Sequence, residues 1–435
     1  MAEVLQQVIV FRAKTHGSAG KQMVTSKKMQ RRGSAIVADE LVEVIDIHSL
    51  ENSSLDGNGS ITSHGSDLEG DGDILVPPLS ATVKAQLRLY VNKIVSMYKN
   101  NAFHNIHHAA HVTFSSFELV RRISSFDIKP LLNKDLSPWS SMPPMKDSQN
   151  YLADDALAQF AVVMAAVIHD VDHDGVPNVQ LAKERPEMAK RYKDKSLAEQ
   201  NSLDIAWNLL ESDTFTALRE CIFPSENDQF RFRKMLVNLV MATDICDPAL
   251  RTFQQQKLTR AFSDNNFEEN EERNRRATVA MDFIIQVSDI SHTMQDFSVY
   301  QRWNENLYEE LLEAYQEGRA EKDPSDGWFK GEFGFYDFHI LPLIKKIQGT
   351  GVLGSTAEFL RENAEYNRRA WEESGEEKCI AMQARVKAKL SSSSFRSQSS
   401  SGSICRRAKS LMVGDFGKFD PLSCLRSRSK VAHTS

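Results

Sequence analysis

The sequence predicts an all-α fold, and three observations predict it. Apolar residues recur with helical spacing in a series of long segments. Glycine and proline are sparse inside those segments and gather between them, as at Pro138–Pro144 and Gly349–Gly354. Alternating apolar and polar runs bounded by tight Asn-Gly turns, the mark of hairpins, are missing from this zone.

The amphipathic segments, in order, are Thr82–Lys99, Asp154–Val171, Leu197–Glu211, Asp228–Asp244, Asn274–Asp289 and Val299–Glu317. Together they predict one large compact multi-helix domain over residues 80–390. Residues 1–79 are expected to be mostly disordered, because Ser53–Asp73 is rich in Gly, Ser, Asp and Asn and cannot offset its ordering entropy. One short docking helix over Ala35–Ile47 is the expected exception. Residues 391–435 form a Ser/Arg-rich tail of low complexity, also expected to be disordered.

Composition excludes several classes. The 435 residues are 41% hydrophobic and 26% charged, with a formal net charge of -6. That balance does not support a nucleic-acid binder. The five cysteines form no C-x-x-C pair, so neither a disulfide scaffold nor a thiolate zinc site is indicated, and a reducing, cytoplasmic setting is expected. No apolar run is long enough to span a bilayer. The opening MAEVLQQVIVFRAK lacks the order of a signal peptide.

Three clusters carry chemistry. His104 and His108 are four residues apart, as are His169 and His173, so each pair would share one face of a helix. Asp170 sits beside His169, and Asp289 ends the apolar run Ile285-Gln286-Val287-Ser288. A charged carboxylate at the end of an apolar helix is costly unless it binds a metal or a cation. Imidazole suits zinc, and carboxylates suit harder ions. Two histidines with two aspartates would hold one ion and leave positions open for water. Singly, each motif has an ordinary structural explanation; jointly they point to a metal site.

The residues His104-Asn105-Ile106-His107-His108-Ala109-Ala110-His111-Val112 resemble the H-N-x-x-H-A-A-D-V signature of the class I 3′,5′-cyclic nucleotide phosphodiesterases. Ala166 through Asn178 resemble that family's A-x-x-H-D-x-D-H-x-G-x-x-N block. Ser196-Leu197-Ala198-Glu199, Ala242-Thr243-Asp244, Ser288-Asp289-Ile290-Ser291, Tyr300-Gln301-Arg302-Trp303, Gly334-Phe335 and Ile340-Leu341-Pro342-Leu343 follow in the family's order.

The resemblance implies a dinuclear metal site in a deep pocket, with Zn2+ and Mg2+ (or Mn2+) bound. His108, His169, Asp170 and Asp289 match the zinc ligands, and Asp170 would bridge to the second ion. His104 matches the general acid that protonates the O3′ leaving group, and Glu199 the carboxylate that orients it. His173 and Thr243 match groups around the second ion's waters. Phe335 and Leu307 match the two jaws that clamp the purine, and Phe103, Ile290, His292 and Glu332 fall at other positions around the base. The implied reaction is hydrolysis of cyclic AMP or cyclic GMP to the 5′-monophosphate by a metal-bridging hydroxide. Two rival readings are another metal phosphohydrolase of the histidine–aspartate type and a non-catalytic cyclic-nucleotide binder.

The sequence departs from the family pattern at His111 (usually aspartate), Asn201-Ser202 (a histidine pair), His292 (asparagine) and Glu332 (glutamine). None of these removes an expected ligand or the expected acid. Arg31-Arg32-Gly33-Ser34 fits a basophilic kinase site at Ser34. A homodimer and peripheral membrane contact through the basic tails are further expectations.

Overall fold

The computed structural model describes residues 1–16, 37–46, 78–125, 128–130, 139, 142, 145, 151–263 and 267–400. The kinase motif at Ser34, the segment Ser53–Asp73 and the tail beyond residue 400 lie outside them. All regular structure among the described residues is helical, as the sequence predicts.

The helices are α1 (Ala2–His16), α2 (Ala81–Met97), α3 (Ile106–Ile123), α4 (Ala156–Ile168), α5 (Asn178–Glu184), α6 (Pro186–Tyr192), α7 (Leu197–Leu210) and α8 (Thr216–Ile222). They continue with α9 (Glu226–Met241), α10 (Pro248–Ser263), α11 (Glu269–Asp289), α12 (Phe297–Gln316), α13 (Trp328–Phe335), α14 (Leu341–Thr350) and α15 (Ser355–Ser400). Helix α4 is the centre. Every one of its residues is buried, which suits a run that is apolar on all sides except at Gln159. The Gln159 amide donates to Leu152 O and Ala153 O, both at 2.8 Å, so its polarity is satisfied. Helices α3, α9, α11 and α1 pack around α4.

Caps fix where the helices that carry the site begin. Asn105 accepts from His107 N at 2.7 Å and His108 N at 3.2 Å, which starts α3 immediately before His108. Asp155 accepts from Ala158 N at 2.9 Å and starts α4.

Three expectations about the flanks are corrected. Ala2–His16 is a helix, and its Val4, Leu5 and Val8 are buried in the main core. Their i, i+1, i+4 spacing makes one apolar stripe, and α4 offers an apolar surface to cover it. Residues 37–46 dock, but as a single 3-10 turn at Val37–Glu40 followed by an irregular stretch, not as an α-helix. Helix α15 continues past the expected boundary at 390 as far as Ser400. No helix among the described residues is long and apolar enough to cross a membrane.

Candidate active site

Helix ends deliver the expected ligands to one point. His108 lies in the first turn of α3, His169 caps the C-terminus of α4, Asp170 follows it, and Asp289 is the last residue of α11. His108 Nε2 lies 3.0 Å from Asp289 Oδ1 and 3.6 Å from Asp170 Oδ2. His169 Nε2 lies 3.1 Å from Asp170 Oδ2 and 3.4 Å from Asp289 Oδ1.

Neither histidine pair owes its convergence to a shared helical face. His104 precedes α3 in a bend, and the chain leaves α4 at His169, so His173 lies in the following turn. Asp172 takes a left-handed φ of 65° there. Lys99 ties the turn down, donating to Asp172 O at 2.7 Å and Asp174 Oδ1 at 2.5 Å. Asn201 Nδ2 donates to Asp172 Oδ2 at 3.1 Å, and Ser202 Oγ donates to Val171 O at 2.8 Å. The Asn201-Ser202 departure therefore supports the turn that carries the ligands.

The donor set fits a cation. His169 Nε2 and Asp170 Oδ2 are buried and make no hydrogen bond, although they point at each other. Unsatisfied buried groups of this kind cost about 1–3 kcal/mol each unless something else engages them. Two imidazoles and two carboxylates around one centre satisfy the ligand preferences of zinc and leave coordination positions for water. Burial opposes ionisation of Asp170, but His169, His104 and His173 outweigh it and hold the carboxyl well below its ordinary range.

The general-acid position is built differently from expectation. His104 is oriented by Glu310, not by Glu199. Glu310 Oε1 accepts from His104 Nδ1 at 2.5 Å, while its Oε2 accepts from Phe103 N and His104 N, both at 2.8 Å. Burial alone would lower the His104 pKa, but Glu310, then Asp170 and Asp289, raise it to about 9. The His104 imidazolium stacks on the His173 ring, with centroids 4.0 Å apart. Burial and the His104 charge push His173 down to about 4, so it stays neutral.

Glu199 belongs to a separate carboxylate pair. Asn178 Nδ2 donates to Glu199 Oε2 at 3.0 Å and to Asp244 Oδ2 at 3.3 Å. Burial and Asp244 push Glu199 up to about 8. Both carboxylates accept from the one Asn178 amide, and each keeps an oxygen that can accept from water.

A pocket of about 160 Å³ opens beside Asp289 and Thr243, with Ile245, Ile290, Phe335 and Leu343 among its walls. It brings together four of the expected residues: Asp289, Thr243, Ile290 and Phe335. Leu307, Phe103, His292 and Glu332 are not among its walls. Phe103 instead packs on the rings of His108 and Trp303, at 4.7 and 5.7 Å. His292 is buried against Trp303 at 5.9 Å, with His111 at 6.3 Å, and burial holds it well below its ordinary pKa. His111 contacts Gln295 Oε1 through Nε2 at 3.1 Å. The two histidine departures are thus neighbours in one aromatic cluster. Glu332 is buried, and its Oε2 accepts from Tyr300 OH at 2.6 Å. Burial raises it to about 7.

The residues missed by sequence reasoning are Glu310, Asn178, Asp244 and Trp303. The last three stand inside the motif blocks quoted above. Glu310 has one signal only: it lies two turns after Trp303 on α12 and so shares its face.

The family profile described as 3'5'-cyclic nucleotide phosphodiesterase matches residues 103–352, more than half of the chain. The chain therefore belongs to the 3′,5′-cyclic nucleotide phosphodiesterase family. It is 23% identical over 300 residues to the cGMP-specific 3',5'-cGMP phosphodiesterase 3 of Dictyostelium discoideum, covering 67% of this chain and 56% of that one. It is 28% identical over 236 residues to the human dual specificity calcium/calmodulin-dependent 3',5'-cyclic nucleotide phosphodiesterase 1C, covering 54% and 28%. It is 24% identical over 203 residues to the mouse 3',5'-cyclic-AMP phosphodiesterase 4C, covering 43% and 28%. The chain thus spans between about a quarter and just over half of the length of these relatives. The crystal structure of the phosphodiesterase domain of Salpingoeca rosetta rhodopsin phosphodiesterase shares the fold, with a TM-score of 0.52 and 20% identity over 70% of this chain and 87% of that one.

Proposed function

We propose that this chain hydrolyses the 3′ phosphoester bond of a 3′,5′-cyclic nucleotide to give the nucleoside 5′-monophosphate. The observation that carries the reading is the juxtaposition of a two-histidine, two-aspartate donor set with the Glu310-anchored His104 imidazolium. His108, His169, Asp170 and Asp289 would hold the first ion, Zn2+, and Asp170 would also serve the second, Mg2+ or Mn2+. When bound, such ions supply electrophilic stabilisation of the phosphoryl oxygens and lower the pKa of water.

The chain's own residues do the rest. With Nδ1 committed to Glu310, His104 presents its remaining proton on Nε2. It gives that proton to O3′ as the P–O3′ bond breaks, so the leaving group departs as an alcohol and not as an alkoxide. Phe335 and Ile290 offer apolar faces to the base, and stacking accepts either purine. Glu332, neutral below a pH of about 7, lies outside the walls of the Phe335 pocket and would reach the base edge only by giving up its bond from Tyr300 OH. The glutamate accepts only when ionised and can donate when protonated, so its charge state bears on which purine it favours.

The relatives' names include enzymes for cyclic AMP, for cyclic GMP and for both, so both nucleotides belong in the test. Purified chain is mixed with each nucleotide, with and without chelator, and the product is read by phosphorus NMR. A 5′-monophosphate formed only with metal present supports the reading. Turnover of linear phosphomonoesters alone would favour the histidine–aspartate phosphohydrolase rival, and tight nucleotide binding without turnover would favour the non-catalytic one. A cytoplasmic setting, control by a kinase at Ser34 and self-association accompany this reading as proposals.

A further inference from the structure

Residues 37–46 lie across three helices, and those three helices carry site residues. Helix α7 bears Glu199 in its first turn, α9 leads directly into Thr243 and Asp244, and α11 ends in Asp289. The strap makes backbone contacts with one polar side chain on each. Ala38 N donates to Gln200 Oε1 on α7 at 3.0 Å. On α9, Val42 N donates to Asn238 Oδ1 at 3.1 Å, and Asn238 Nδ2 donates back to Val42 O at 2.7 Å. Ile45 N donates to Thr278 Oγ1 on α11 at 3.0 Å.

These three side chains are buried, with exposures of 0%, 2% and 0% for Gln200, Asn238 and Thr278. A buried amide is costly without partners, so Asn238 in particular needs the peptide group of Val42. Charge reinforces the fit. Glu40 makes a two-point contact with the buried Arg233, at 2.8 Å for each bond. Glu43 bridges Arg260, at 2.5 Å, and Arg275. Arg231 donates to Asp46 O, and Lys193 pairs with Asp39 at 3.0 Å. Val37 and Ile45 anchor the two ends in the core.

We infer that α7, α9 and α11, with Arg231 and Arg233 of α9, Arg260 of α10 and Arg275 of α11 as its cations, form a groove for an extended acidic segment, and that residues 37–46, as its occupant, hold the reaction centre in register. The inference rests on the functional reading above. Gln200 adjoins Glu199, and Asn238 lies little more than one turn before Thr243. Thr278 lies about 16 Å along α11 from Asp289, at 1.5 Å per residue. Releasing the strap frees the ends of α7 and α9 to move relative to α11, and with them the Glu199–Asn178–Asp244 bridge. Misplacements near 1 Å at such a site lower turnover about a hundredfold.

The test uses the full chain with Val37→Asp and Ile45→Asp together, which removes both anchors and alters no α-helix. The expected result has four parts. The chain still melts cooperatively and binds Zn2+, protease now cuts within residues 37–46, kcat falls about tenfold or more, and KM changes little. A synthetic peptide of residues 36–47 added in trans restores kcat. Without metal, amide hydrogen exchange at residues 243–247 is faster than in the parent chain, a readout independent of turnover. Unchanged kcat and exchange in a chain whose strap is cut, or loss of kcat that the peptide does not restore, overturns the inference. Should the double variant not fold, Glu43→Gln replaces it. A fall in kcat that steepens with salt then supports the strap, and parent-like kcat overturns it. A parent chain without turnover defeats the functional reading instead, while the exchange measurement still decides the strap.

Discussion

Replacing Glu310 by glutamine strikes the acid without touching a metal ligand. The carboxylate now takes three N–H groups, from Phe103, His104 and the His104 ring, at 2.8, 2.8 and 2.5 Å. A glutamine of the same shape accepts through one oxygen only and turns an NH2 donor toward at least one of those N–H groups. Losing a charge-assisted bond of this kind costs about 1.5–3 kcal/mol, or roughly 10- to 100-fold in rate if it is expressed in the transition state. The larger effect is on protonation. The His104 pKa stands at about 9 against an ordinary 6.5, and Glu310 is the leading cause that raises it. That displacement corresponds to roughly 3 kcal/mol in favour of the imidazolium.

The sign follows from the role. A general acid works when protonated, so kcat/KM falls as pH rises through the His104 pKa. In the parent chain that fall lies near a pH of about 9. In E310Q it moves down by about one to two pH units. The deficit is therefore greatest at mildly alkaline pH and shrinks at about pH 6, where both chains keep the proton. Stability carries the same sign. A raised histidine pKa contributes stability fully below its unfolded value near 6.5, and the contribution is lost as pH rises through about 9. E310Q should thus melt lower than the parent at pH 6, with the gap closing above pH 9. Initial rates for both cyclic nucleotides across this range, with melts in the same buffers, provide the measurement. An alkaline limb that stays in place, with kcat within about twofold of the parent, would refute the assignment of His104 and Glu310.

Four further outcomes are expected. Asp289→Asn should lose bound metal, read by elemental analysis, and lower kcat by about a thousandfold or more, because a neutral amide replaces the carboxylate between two imidazoles. Chelation of the parent should lower its melting temperature, since ions held only by the folded state contribute about 4 kcal/mol at a thousand times their Kd. Gly375→Ala should destabilise despite better helix propensity: the new Cβ would stand 2.6 Å from the Trp371 ring, which is buried and held by its Nε1–H bond to Phe329 O. Overpacking of about 1–3 kcal/mol exceeds a propensity gain of under about 1 kcal/mol, so urea unfolding should show a net loss. Leu5→Ala should cost about 2–5 kcal/mol if α1 is part of the core, and no change in the urea midpoint would detach α1 from it.

The sequence by itself determined the helical class, six of the main helices to within a few residues at most ends, and the four residues proposed as ligands. Those features are local: periodicity needs only neighbouring residues, and His108, His169, Asp170 and Asp289 each stand in a short block with its own spacing. The tertiary structure decided what depended on distant segments. The i, i+4 histidine pairs do come together, but not through a shared helical face, because both pairs straddle a helix end. Glu310 lies 206 residues from His104. Among Glu305, Glu309 and Glu313 on the same helix, only its two-turn spacing from Trp303 sets it apart locally, and that spacing does not say that it faces the imidazole. Glu199 kept its place in a motif but took a different partner, since Asn178 draws it toward Asp244. The strap at residues 37–46 was legible as a docking segment. Which helices it joins was fixed only when Gln200, Asn238 and Thr278 came together, because each satisfies its buried polarity with a peptide group that no local pattern could supply.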